Sequence, residues 1–240
     1  GMALFHSNDV FPRNGDQAFR FRQQSDLFYL TGIDQEKTIL MLFPDCPNAD
    51  LREVLFLIEP NEKLQTWEGH KYSGKEALEI SGMAKVKWLD QFDAILAEAM
   101  SFAEKVYLNA IEYAKFSTDV PYRDLRFAVE IRERFPNHDY RRAAPLIYPL
   151  RTIKTGEETG MISQAIDLTG NAFQRILKFV KPGVMEYEVE AELIHEFLFR
   201  GASGSAYHPI IATGINACSL HYIENSCECK DGELLLMDFG

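Results

Sequence analysis

Two polar residues late in the chain, an aspartate and a histidine, are candidates to line one ligand pocket. Asp238 closes the apolar run Leu234-Leu235-Leu236-Met237. A carboxylate at the C-terminal end of a buried strand opens onto the crevice where α/β folds bind ligands. His221 lies seventeen residues upstream (238 minus 221), in Leu220-His221-Tyr222. If residues 219–223 and 234–238 are neighbouring strands of one sheet, both side chains line one pocket. Each also has an ordinary alternative: Asp as a turn or helix-capping residue, His as a hydrogen-bonded strand end. On spacing alone those alternatives win. His208, before Pro209, has the same ambiguity with less support, and His6, His70 and His138 read as surface residues.

Other apparent motifs fail. His195-Glu196 begins a zinc-type H-E-x-x-H helix, but its second histidine position holds Phe199. Asp238-Phe239-Gly240 spells the kinase D-F-G without the glycine-rich loop or H-R-D loop that should precede it. Gly201-Ala202-Ser203-Gly204-Ser205 has serine where G-x-S-x-G needs its last glycine, which argues against a nucleophilic Ser203.

The elements that must position these residues come in two groups. Residues 38–43 and 53–58, each closed by a proline, read as antiparallel strands joined by a Pro/Asn/Asp-rich turn. Residues 91–103 and 122–135 carry helical periodicity, and 106–108 reads as a short strand. A boundary falls near residues 149–154, giving domains 1–150 and 151–240. Beyond it a long amphipathic helix is expected over 157–180, with Ile162, Ile166, Thr169, Phe173, Ile176 and Val180 on one stripe, ended by Lys181-Pro182-Gly183. A second helix over 186–200 has glutamates in its first turn, where they suit the helix dipole. Strands at 208–212, 219–223 and 233–238 follow. The last reads as a central strand covered on both faces, so the second domain is expected to be incomplete in this chain.

Composition narrows the classes. A chain of 240 residues exceeds the usual single-domain length of roughly 100–150 residues. Its net charge of −11 argues against nucleic acid and anionic membranes as partners. Cys46, Cys218, Cys227 and Cys229 are too few and wrongly spaced for a zinc knuckle, so reduced thiols in a cytoplasmic protein are expected. No signal peptide or membrane span is expected.

The residues also carry a resemblance. The stretch from Gly214 to Asn225, with Asn216 and Leu220-His221-Tyr222, resembles the G-x-N-x-x-x-L-H-Y-x-x-N segment of aminopeptidase P proteins. Asp231-Gly232-Glu233 through Asp238-Phe239-Gly240 resembles the D-G-(D/E)-L-(V/L)-L-(I/M)-D-x-G strand that follows it there. Phe21-Arg22-Gln23-Gln24-Ser25-Asp26 through Gly32 resembles the family's F-R-Q-x-S-D-F-x-Y-L-T-G signature, and Trp67-Glu68-Gly69 its W-x-G segment. The resemblance covers essentially the whole chain.

It implies a creatinase-like mixed α/β N-terminal domain, then the first part of a pita-bread α+β catalytic domain. It implies an Xaa-Pro aminopeptidase that uses two divalent metal ions, most often manganese, and acts as a homodimer or homotetramer on proline-containing peptides. The family's first metal-binding aspartate falls on Asp238, and the histidine that contacts substrate and intermediate falls on His221. The remaining metal ligands have no counterpart up to Gly240. Trp67 either reaches a neighbouring subunit's active site or packs, half-buried, on its own domain. The resemblance also admits a prolidase, and the 240 residues alone admit a non-catalytic fragment or peptide-binding remnant. A metal pair fits such a reaction: it lowers the pKa of a bridging water and clamps the intermediate, and mainly oxygen ligands suit manganese.

Overall fold

The computed structural model describes residues 1–113, 115–116 and 118–240. It separates into two units, Gly1–Thr152 and Ile153–Gly240. The first unit runs β1 (Met2–His6), β2 (Pro12–Asn14), β3 (Gln17–Ala18), α1 (Ser25–Thr31), β4 (Ile39–Leu42), β5 (Glu53–Leu57), α2 (Glu62–Glu68) and α3 (Gly74–Ser81). It continues with β6 (Lys85–Trp88), α4 (Phe92–Phe102), β7 (Lys105–Leu108), α5 (Arg123–Arg134), β8 (Asp139–Arg142) and α6 (Ala144–Thr152).

Six strands form one mixed sheet in the order β6-β5-β4-β1-β7-β8. The expected pair β4 and β5 is antiparallel, with Ile39 opposite Phe56 and Leu40 opposite Leu55. These strands are apolar at nearly every position because both faces are covered. Met2, Leu4, Met41, Val54, Phe56 and Val106 face helices α4 and α5. On the other side Phe5, Leu40, Leu55 and Leu57 face α1, α3 and α6 through Leu27, Ala77 and Ile147. Side chains alternate between faces along each strand, so two cores share one sheet.

Sequence reasoning passed over β1, the strand between β4 and β7, and with it the setting of His6. That histidine is buried at 1% exposure rather than on the surface. Its ring lies 4.0 Å from the Phe127 ring, and Nδ1 is 3.5 Å from Asp124 Oδ1. Burial holds the imidazole below its ordinary value of 6.5, although the Asp124 carboxylate acts the other way. Below pH 6.5 the unfolded chain therefore binds a proton that the folded chain resists. Stability is complete above that pH and falls as pH drops through it, at up to about 1.4 kcal/mol per pH unit from this group. His6→Phe keeps the aromatic packing and should flatten the fall in unfolding midpoint between pH 7.5 and 5.5. An unchanged pH profile in that variant would remove His6 as the cause.

The second unit contains α7 (Gly156–Phe179), α8 (Glu186–Phe199), β9 (Ile210–Thr213) and β10 (Leu235–Asp238). Thr155 caps α7 and Glu158 returns the bond, a reciprocal cap that fixes where this helix starts. Its core joins Ala172 and Ile176 of α7 with Val189, Leu193 and Phe197 of α8 and Ile211 of β9. Only part of the expected α7 stripe is buried. Ile162 and Ile166 are exposed, and Ile176 takes the core position. Among the described residues, no helix is long and apolar enough to cross a membrane.

Candidate functional site

Asp238 ends β10, which pairs antiparallel with β9 so that Asp238 lies opposite Ile210. Period-two alternation turns Leu235 and Met237 toward the helices and leaves Leu236 and Asp238 exposed. Within this chain, then, β10 is covered on one face rather than both. The Tyr207 hydroxyl donates to Asp238 Oδ1 at 2.6 Å, and Ala206 N donates to Gly240 O at 2.8 Å, so residues 206–207 run beside the strand end. The Asp238 carboxylate in turn pushes the Tyr207 hydroxyl above its ordinary pKa. An open apolar cleft of about 690 Å³ lies between Ile162, Ile166 and Phe173 on α7 and Met237, Asp238 and Phe239. The exposed part of the α7 stripe thus walls a cleft beside Asp238.

His221 is not on a strand. Residues 214–218 form a short 3-10 helix, and 219–226 run as irregular chain, so β9 and not 219–223 is the partner of β10. The expected strand at 208–212 likewise begins only at Ile210, after Pro209. His221 is exposed beside Leu220, which is 89% exposed. Side chains hold this loop in place of a β-ladder.

The centre of that arrangement is Glu186, fully buried in the first turn of α8. Oε1 accepts from Thr213 N at 2.7 Å and Asn216 Nδ2 at 3.4 Å. Oε2 accepts from the Tyr222 hydroxyl at 2.7 Å and Cys227 N at 2.9 Å. Burial alone would raise the pKa of this carboxyl, but the four donors outweigh it and hold the group below its ordinary value. Asn225 supplies a second tether. Buried with a left-handed φ of 43°, it accepts from Ile211 N at 3.0 Å and donates to Pro209 O at 3.0 Å and Glu190 Oε2 at 2.8 Å. At Gly214 φ is +53°, and an added Cβ would lie 2.8 Å from the Glu233 carboxylate, so a side chain there would be strained and would displace Glu233.

Sequence reasoning missed Glu186 and Tyr207. Glu186 and Glu188 look alike as first-turn acids, yet Glu188 caps Met185 N at 2.8 Å while Glu186 turns inward. Tyr207 carried no signal beyond its nearness to β9.

In the first unit, Trp67 stands on α2 with 79% of its surface exposed. That overturns the reading in which it packs half-buried on its own domain. The segment from Phe21 to Gly32 is built around α1. Gln24 accepts from the helix N–H groups of Asp26 and Leu27, and Gln23 donates to Ile33 O and Gln35 O. Asp26 Oδ1 accepts from Arg151 Nη1 at 2.6 Å.

Among the described residues, no group of three or more His, Cys, Asp or Glu side chains is placed to hold a metal ion. Asp238 supplies one carboxylate, His195 stacks on Phe199, and the His208 ring sits 3.8 Å from Glu190. The described residues therefore do not make up a dimetal site. Burial also raises the Cys229 thiol pKa, which keeps it protonated and inert.

Two family models match the chain in order. "Aminopeptidase P, N-terminal domain" covers residues 1–107, and "Metallopeptidase family M24" covers residues 160–240. An Xaa-Pro aminopeptidase of Escherichia coli is 28% identical over 99% of the chain and 54% of its own length. The structure of Escherichia coli aminopeptidase P with the inhibitor Pro-Leu aligns over 100% of the chain and 54% of its own length, with a TM-score of 0.85 and 27% identity. A zinc-substituted form of that enzyme in complex with product aligns with a TM-score of 0.83 and 29% identity, over the same shares of the two chains. The chain thus spans about half the length of these relatives. With a mixed α/β N-terminal domain followed by part of an M24 catalytic domain, it belongs to the aminopeptidase P family.

Proposed function

We propose that the whole protein is a metal-dependent Xaa-Pro aminopeptidase, removing the N-terminal residue from peptides with proline in second position. The observation that carries this reading is the ordered likeness of both units to aminopeptidase P over the entire chain. An amide before proline is tertiary and has no N–H, so its nitrogen offers the enzyme no hydrogen-bond donor. In this proposal His221 hydrogen-bonds the carbonyl oxygen as negative charge develops there, and Asp238 is one metal ligand in the intact protein. The resident ions are two divalent metals, taken to be manganese. The residues from 151 onward belong to the catalytic domain and those up to 150 to the N-terminal one. The assembly is a cytoplasmic homodimer or homotetramer in which Trp67, too exposed to serve its own domain, reaches a neighbouring subunit's site.

A prolidase uses the same chemistry on a shorter substrate, and peptide length separates the two. The full-length protein is expected to hydrolyse an Xaa-Pro-Xaa tripeptide, releasing its first residue. Activity confined to the Xaa-Pro dipeptide would make it a prolidase. No hydrolysis of either peptide with manganese added would leave the peptide-binding reading instead.

A further inference from the structure

The loop that carries His221 has lost the usual means of holding a shape. It lies outside the β9–β10 ladder, and its residues Leu220, His221 and Ile223 are exposed. Its two ends are nevertheless closed. Thr213 N at the start and Cys227 N at the finish converge on the two oxygens of one carboxylate, that of Glu186. Asn216 and the Tyr222 hydroxyl reach the same group from within the loop. Tyr222 is the residue next to His221, so the clamp acts one peptide away from the histidine.

Resting on the aminopeptidase reading above, we propose that Glu186 is the positioning residue for His221: it sets the height and direction of the histidine by clamping both ends of its loop. A buried acid whose four acceptor directions are all filled from one loop does more than cap a helix. Glu188 already performs the capping of α8 through Met185 N. The fully buried, donor-saturated carboxylate also explains why Asn216 and Tyr222 accompany the histidine in sequence. They are arms of the clamp. Asn225 fastens the same loop to β9 through Ile211 N and holds independently of Glu186.

The test uses Glu186→Gln, which keeps the shape of the side chain but turns an amide NH₂ toward one of the two donor pairs. In hydrogen exchange, the amides of Thr213 and Cys227 should open about tenfold faster, while those of the α7–α8 core stay unchanged. In the full-length enzyme kcat should fall about 10- to 100-fold with KM little altered, as expected when a catalytic group is displaced but substrate binding is kept. On a His221→Ala background the same substitution should cost nothing further in kcat, because its effect passes through His221. Tyr222→Phe removes one arm only and should give a smaller change of the same kind. It serves where Glu186→Gln does not fold. Unchanged exchange at both loop ends overturns the proposal, as does a kcat loss that adds fully to that of His221→Ala. A wild-type protein inactive on both peptides refutes the aminopeptidase reading, and the exchange data still decide whether Glu186 clamps the loop.

Discussion

Replacing His221 with alanine in the full-length protein is expected to lower kcat for an Xaa-Pro-Xaa peptide about 10²- to 10³-fold, the usual cost of one lost donor to a developing oxyanion. The size of the effect follows from what a hydrogen bond does in each state. A donor that meets the ground-state carbonyl weakly and the charged intermediate strongly lowers the barrier without tightening substrate binding, so KM should move little. The structure makes this variant interpretable. His221 is exposed, belongs to no strand, and lies in a loop fixed by Glu186 and Asn225 rather than by its own contacts. Its removal leaves no buried polar group unpaired and opens no cavity, so the unfolding midpoint should stay within the small range of ordinary surface substitutions. Steady-state kinetics and thermal unfolding on the same preparation check both halves. A variant with wild-type kcat would remove His221 from the mechanism, and one that melts early would assign it to the fold.

That pairing of exposed chemistry with buried support explains which parts of this protein could be read in advance. The strands Ile39–Leu42 and Glu53–Leu57 were legible because both faces are buried, giving unbroken apolar runs that prolines terminate. Met2–His6 is equally buried, but no proline closes its run. His6 looked like a surface residue because no local pattern reveals Phe127 or Asp124 from far along the chain. Residues 219–223 misled in the opposite direction. Their alternation of Leu220 and Tyr222 with His221 and Ile223 imitates a strand, yet a carboxylate 36 residues upstream of Tyr222 takes the hydrogen bonds that a ladder would have offered. The α7 stripe was legible as periodic, but the sequence alone did not say what each part of it faces. Ile162 and Ile166 serve a cleft. Local sequence reports periodicity and turn chemistry, whereas the sites here depend on tertiary contacts: Glu186 with its loop, Tyr207 with Asp238.

The second large effect concerns Asp238. In the full-length protein Asp238→Asn should weaken manganese binding by more than about 100-fold, beyond the upper end seen when only an outer partner of a metal ligand is lost. Peptide hydrolysis should disappear with it. Asparagine retains an oxygen that can still accept the Tyr207 hydroxyl, and the side chain is exposed, so the fold has little reason to change. What is lost is the negative charge, and hard divalent cations bind through charge and oxygen count together. The same reasoning gives the behaviour of residues 1–240 alone. Among the described residues Asp238 has no second and third ligand beside it, so this chain should bind manganese weakly and turn over no peptide. Metal analysis after dialysis, run on the full-length protein, its Asp238→Asn variant and residues 1–240, separates the cases. Two ions held tightly by residues 1–240 would mean that the metal ligands lie somewhere other than around Asp238, and full metal content in the variant would carry the same message.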